Sequence, residues 1–133
     1  LQEAISAVDL INRPGFLGHL DFLRRHIPKA KPPKPGQLMD TLLMKLVSNH
    51  VGLELNTSGW MYGIGDPSPQ PWVIERYIDL GGRFVTVGSD SHRASQIGNF
   101  TVKALSLLRK MGIKEVFYCE NGSYIPVPIM EAK

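Results

Sequence analysis

The chain has 133 residues, enough for one ordinary domain, and at 43% hydrophobic and 20% charged it should bury a core rather than stay disordered. Its net charge of +3 is too mild an excess to point to a nucleic-acid partner, and its single cysteine, Cys119, excludes an internal disulfide framework and fits a reducing, cytoplasmic setting. No apolar run approaches the roughly 20 residues of a membrane helix, and no secretory signal pattern opens the sequence.

The sequence starts at Leu1 and enters a helical pattern at once, "LQEAISAVDLIN", which reads as a fragment of a longer protein. Four short runs rich in Val, Phe and Leu follow: "FLGHL", "VGLELN", "FVTVGS" and "EVFYCE". Their lengths suit strands, and they start at residues 16, 51, 84 and 115. Helical patterns fill most of the gaps. "GQLMDTLLMKLVSNH" places Leu38, Leu42, Leu43, Leu46 and Val47 on one face. "PWVIERYIDLGG" opens on proline and stops at glycine. "NFTVKALSLLRKMG" turns Val102, Leu105, Leu108 and Met111 inward and stops at Gly112. Strand followed by helix, repeated, predicts α/β architecture with a mainly parallel sheet and helices on its outer face.

Two segments break the rhythm. "HIPKAKPPKPG", residues 26–36, has too many prolines for helix or central strand. The plain reading is a solvated loop, and the sharper one a basic lip over an anionic ligand. "NTSGWMYGIGDPSPQP", residues 56–71, is a second long loop after a strand, a common place for function. Trp60 and Met61 would form a hydrophobic lid or simply pack the loop.

Ligands of parallel α/β folds gather at the carboxyl ends of the strands. The first run ends at His19 with Asp21 beyond, the second at Glu54 and Asn56, the third at Asp90 and His92, and the fourth near Glu120 and Asn121. Asp and His are good ligands for Zn, Mn or Fe. Spacing of two in Asp90-Ser91-His92 would point both side chains to one face of an extended chain. Singly, each such residue is more often a hydrogen-bonded structural one. Glu54 alternates with Leu53 and Leu55 and so faces away from them, as a ligand or as half of a structural ion pair. His26 and His50 read as surface or cap histidines.

"GFLGHLDFLRRH", "GLELNTSG" and "VTVGSDSHR", in this order, resemble the PHP family (polymerase and histidinol phosphatase), most closely its histidinol-phosphate phosphatase branch. The resemblance covers about residues 1–112. It implies a distorted (β/α)7 TIM-like barrel, of which these residues would be the C-terminal portion, about four βα units, with the whole chain 1–133 belonging to that one domain. It implies up to three divalent metal ions at the strand ends and metal-assisted hydrolysis of a small phosphate ester. By the matching motifs, His19, Asp90 and His92 would be metal ligands, and Asp90 would also move a proton in catalysis. Arg24 and Arg25 match basic positions that help hold phosphate in the resembling enzymes, against the alternative of a solvated helix face.

This sequence departs from the family pattern in two ways. The family's His-x-His motif and its later His and Glu ligands are not among these residues, so four strands would leave open sheet edges that association with another segment or chain would cover. The phosphatase branch usually carries an Arg after Asn-Thr-Ser-Gly, where Trp60-Met61-Tyr62 stand here. A non-catalytic module derived from the same domain, or a PHP nuclease or phosphoesterase with another substrate, are the rival readings.

Overall fold

The structure, a computed structural model, describes residues 1–21, 23–27 and 29–131, with the Arg25 side chain left aside. Helix α1 (Gln2–Val8) leads to strand β1 (Phe16–Leu17), the short helix α2 (Leu23–His26) and α3 (Gln37–Ser48). Strand β2 (Gly52–Asn56) is followed by a helical turn α4 (Ser58–Met61) and α5 (Pro71–Asp79), then by β3 (Val85–Gly88) and α6 (Thr101–Lys110). The chain closes with β4 (Glu115–Glu120) and β5 (Ser123–Pro128). No helix among the described residues is long and apolar enough to cross a membrane.

β1, β2 and β3 form a parallel sheet in that order, with Leu17 beside Leu53, Leu53 beside Val85 and Leu55 beside Val87. These residues share the face that meets the helices. Leu53, Leu55 and Val85 are fully buried there against Val8, Met39, Leu42, Leu43, Leu46, Val73, Ile74 and Leu108. Each such side chain contributes about 1.5–3 kcal/mol by leaving water. The opposite face carries Phe16, Gly18, Glu54, Thr86 and Gly88, a sparse and partly polar set.

The helical faces differ in detail from the sequence reading. On α3 the buried stripe is Met39, Leu42, Leu43 and Leu46, an i, i+3, i+4, i+7 set, and Leu38 is exposed. On α6, Ala104 and Leu108 face the core, while Val102, expected inward, is 77% exposed. The helix starts only after Phe100, a left-handed residue with φ 59°, and this sets a stripe through 104 and 108 rather than 102 and 105.

The fourth run is not a fourth parallel strand. β4 pairs antiparallel with β5, from Glu115–Pro128 to Glu120–Ser123, as a separate two-stranded sheet. Asn121 and Gly122 make the two-residue turn, both with positive φ (50° and 76°), as the right-handed twist of a hairpin requires. Glu120 and Asn121 therefore belong to a hairpin tip and not to the rim of a parallel sheet.

That hairpin closes one end of the sheet's sparse face. The Tyr124 ring stacks on Phe84 with centroids 3.9 Å apart and meets Phe16 edge-on at 5.4 Å. Its hydroxyl accepts from the N–H groups of Gly15 (3.0 Å) and Gly52 (3.2 Å), and its proton faces the carbonyls of Gly15 (2.6 Å) and His50 (2.7 Å). Gly52 is required beneath the Phe16 ring, because a β-carbon there would lie 2.4 Å from a ring atom.

Replacing Tyr124 by Phe strips these backbone groups of their partner and is expected to cost about 1–3 kcal/mol, read by urea denaturation. Burial pushes the Tyr77 hydroxyl up to about 12 and raises that of Tyr124 above its usual value. A raised phenol pKa favours the neutral form in the fold. Stability from both groups is therefore complete below about pH 10 and declines as pH rises toward 12. Thermal melts across that range check it, and Tyr124→Phe should keep only the Tyr77 part.

Candidate metal centre at the strand ends

β1 and β3 flank β2, so their backbones stand about two strand spacings apart, roughly 9–10 Å. His19, two residues beyond β1, and Asp90, two beyond β3, nevertheless meet: His19 Nδ1 lies 3.4 Å from Asp90 Oδ2. Both residues are left-handed, with φ of 54° and 49°, at the points where the chain leaves β1 and β3. Left-handed backbone costs an L-residue about 1–2 kcal/mol and is concentrated at functional positions. Half of the His19 side chain remains open to solvent (51%), against 22% for Asp90.

The spacing of Asp90 and His92 does not act as it would on a strand, because the chain has already left extended geometry at Asp90. His92 is exposed in the segment before the 3-10 turn Ala94–Gln96. Among the described residues, no three His, Cys, Asp or Glu side chains stand close enough to hold a metal together. Ser91, between the two, is anchored by bonds to Ser89 Oγ (2.7 Å) and the Gln96 carbonyl (2.6 Å).

Glu54 lies on the face opposite Leu53 and Leu55, and no cation among the described residues pairs with it. Its Oε2 accepts from the Asn56 amide at 3.4 Å. Asn56, fully buried, also accepts from the Ser58 N–H (2.9 Å) and bridges to Ser68 through its backbone. Thr57 donates from its N–H to the Gly88 carbonyl (2.8 Å) and from its hydroxyl to that of Asn99 (2.7 Å). The long loop after β2 is thus tied to the loop after β3. Gly59 permits its tight fold, since a β-carbon there would sit 2.1 Å from the Asp66 carbonyl.

Asp21 performs the same service for the loop after β1. Nearly buried, it accepts from Arg24 Nη1 (3.2 Å) on one oxygen and from the Ser68 hydroxyl on the other. Arg24 also approaches Asp66, at 4.0 Å. Its side chain is only 13% exposed, so it is no solvated helix face but part of a loop clamp. It lines a cavity of about 290 Å³ with His19, Asp21, Leu23, Lys31 and Pro33, where the proline-rich segment places one lysine beside the site. The Arg25 side chain lies outside the described part of the structure. His26 and His50 are exposed at helix ends, as the sequence suggested. Trp60 packs partly on the core beneath Lys103, whose Nζ is 4.2 Å from its ring centroid, so loop packing accounts for it. Sequence reasoning missed Ser68, which carried no signal beyond its place in a long loop.

No protein-family model matches the chain. It is 39% identical over 98 residues to a "Probable histidinol-phosphatase" of Thermotoga maritima, covering 74% of this chain. It is 31% identical over 106 residues to another so named from Clostridium acetobutylicum, and 31% over 123 residues to the histidinol-phosphatase of Lactococcus lactis, covering 77% and 87% of this chain. The chain belongs with the histidinol-phosphatases. The PHP-type resemblance read from its three motifs holds in that branch. The chain spans only 41% to 44% of the lengths of these relatives. A solved Lactococcus lactis histidinol phosphate phosphatase, in complex with zinc, L-histidinol and phosphate, shares the fold at a TM-score of 0.64 and 20% identity. The match covers 92% of this chain and 48% of that one.

Burial is the main influence on Asp21 and raises its pKa, with Arg24 opposing it. A raised carboxyl pKa means that this group favours folding most below its unfolded value and less as pH rises through the shifted one. Asp21→Asn should therefore remove this decline in stability as pH rises through the carboxylate range, read from urea midpoints measured across pH. Asp21→Ala, which leaves the Arg24 guanidinium without its main partner, is expected to cost about 2–4 kcal/mol in thermal or urea unfolding.

Proposed function

We propose that this chain is part of a metal-dependent phosphomonoesterase of the histidinol-phosphatase type, with its sheet forming one portion of a (β/α)7 TIM-like barrel. The observation that carries this reading is the contact between His19 and Asp90 in a chain 39% identical to a histidinol-phosphatase relative. Coverage below half of each relative, and β1 and β3 standing at the sheet's edges, support a domain whose remaining strands lie outside these residues.

An imidazole and a carboxylate in contact, both on left-handed backbone, are two donors of the kind that a Zn, Mn or Fe cation takes, and the remaining ligands would come from residues outside this chain's described part. His19 and Asp90 would hold it, and His92 would join from the turn after β3. Bound metal supplies an acidified water and positive charge for the phosphoryl oxygens. Asp90, in contact with the His19 imidazole, would take or return a proton during the reaction. Arg24 and Lys31, on the wall of the adjoining cavity, offer positive charge to an anionic substrate, and Arg25 follows from the motif alone. A small phosphate ester fits a cavity of this size.

The parent-length protein should hydrolyse phosphomonoesters with two or three metal ions bound per chain, measured by elemental analysis. Asp90→Ala should lose part of that metal and slow turnover by at least 100-fold. Residues 1–133 alone should show weak activity or none. No bound metal in the parent-length protein, or robust metal-dependent turnover by residues 1–133 alone, would overturn the reading.

A further inference from the structure

We propose that Lys31 is the side chain that captures and positions the anionic end of a small phosphate ester, in the cavity it lines together with His19 and Arg24. This rests on the phosphomonoesterase reading above and deepens it, by assigning the anion contact to one residue of the proline-rich segment. That segment is neither helix nor strand over residues 30–34. It nonetheless brings Lys31 and Pro33 to a cavity of about 290 Å³ whose wall also carries His19, Asp21 and Arg24. The two are spaced as side chains on one side of an extended chain are. A residue before a proline is held to extended backbone, and Pro32 and Pro33 each fix their own φ. The direction in which Lys31 leaves the main chain is thus set before a ligand arrives, which lowers the entropy cost of binding. Lys29 and Lys34, in the same segment, are exposed and lie off that wall.

Charge decides between Lys31 and Arg24. A guanidinium matches phosphate better by shape, but that of Arg24 is already engaged. Its Nη1 lies 3.2 Å from Asp21 Oδ2, and its Nη2 lies 4.0 Å from Asp66 Oδ2. Two carboxylates around one guanidinium leave no positive excess for a third anion. Turning Arg24 away would also strip the nearly buried Asp21 of its charged partner, which is costly. Lys31 is exposed, and among the described residues no carboxylate forms an ion pair with it. An ammonium on a flexible stem offers three donors to phosphate oxygens from a compact charge. Leu20, Leu23 and Pro33 contribute apolar surface to the same wall, and apolar walls focus the field of a nearby charge into a cleft. One anionic group on a small carbon body suits such a surface, and a phosphate monoester has that form.

The experiment titrates isotope-labelled residues 1–133 with inorganic phosphate at constant ionic strength and without metal, read as shifts of individual amide signals. Shifts should centre on His19, Leu20, Arg24 and Lys31. Lys31→Gln should raise the dissociation constant about ten-fold, the loss of one charge-assisted contact. Lys31→Arg should recover most of the binding, and Lys34→Gln, which removes the same charge off the cavity wall, should change it less than about two-fold. In the parent-length protein, Lys31→Gln should raise KM for a phosphomonoester about ten-fold with kcat nearly unchanged. Equal phosphate binding in Lys31→Gln and the unaltered chain would overturn the proposal. So would equal weakening by Lys34→Gln, which would reduce the effect to general surface charge, or an absence of shifts at residues 19–24 and 31. An unchanged KM beside normal turnover would sink the role of Lys31 and leave the phosphatase reading standing. Phosphate binding that depends on Lys31, in a parent-length protein without turnover, would do the reverse.

Discussion

The strict alternation of β2 governs the rest of the structure. Leu53 and Leu55 must face the helices, because burying them against α3 and α5 holds the sheet to its helical layer. Side chains alternate with period two, so Glu54 and Asn56 are then forced onto the other face. A slip of one residue would drive a carboxylate and an amide into the core. The polar character of the site at the strand ends is thus tied to the apolar character of the core, and neither can change alone.

Neighbouring strands must accept what β2 presents. Register places Gly18 on one side of Glu54, and on the other Gly88 stands beside Asn56, so the carboxylate has room only because both neighbours lack side chains. Farther down the same face, Gly52 makes space for the Phe16 ring, and the hairpin brings Phe117 and Tyr124 to complete the aromatic end. One face of one small sheet is therefore divided lengthwise. Its aromatic half is sealed by a phenol bonded to the backbone, and its polar half holds the Glu54 carboxylate between Gly18 and Gly88.

Much of this was legible in the sequence, for physical reasons that also mark where legibility ends. The parallel strands announced themselves by apolar runs followed by helical periods, and the facing of Glu54 followed from alternation alone. The fourth run misled because its apolar content matched the other three, although "ENGSY" just beyond it carried the Asn-Gly signature of a hairpin. On α6, Val102 looked inward by periodicity, but the register of a short helix depends on where it starts, and Phe100 fixes that start through a backbone conformation that apolar spacing does not encode. The three motifs pointed to His19 and Asp90 as ligands. Their contact could not be read, since it depends on two left-handed turns, and the role of Arg24 could not either, since Ser68 and Asp66 come from a loop some 40 residues away.

The loops around the site are held by bonds that cross between strands rather than by burial. Thr57 reaches the end of β3 and the loop beyond it, while Ser68 and Arg24 share Asp21. Each tie fixes one strand end relative to another. Hydrogen bonds made by nearly buried groups are costly to leave half-made, so the network yields as a unit or not at all. Rigidity at the rim then follows from polar satisfaction, just as rigidity in the helical layer follows from packing. The His19–Asp90 contact sits just beyond these ties, one partner after β1 and the other after β3.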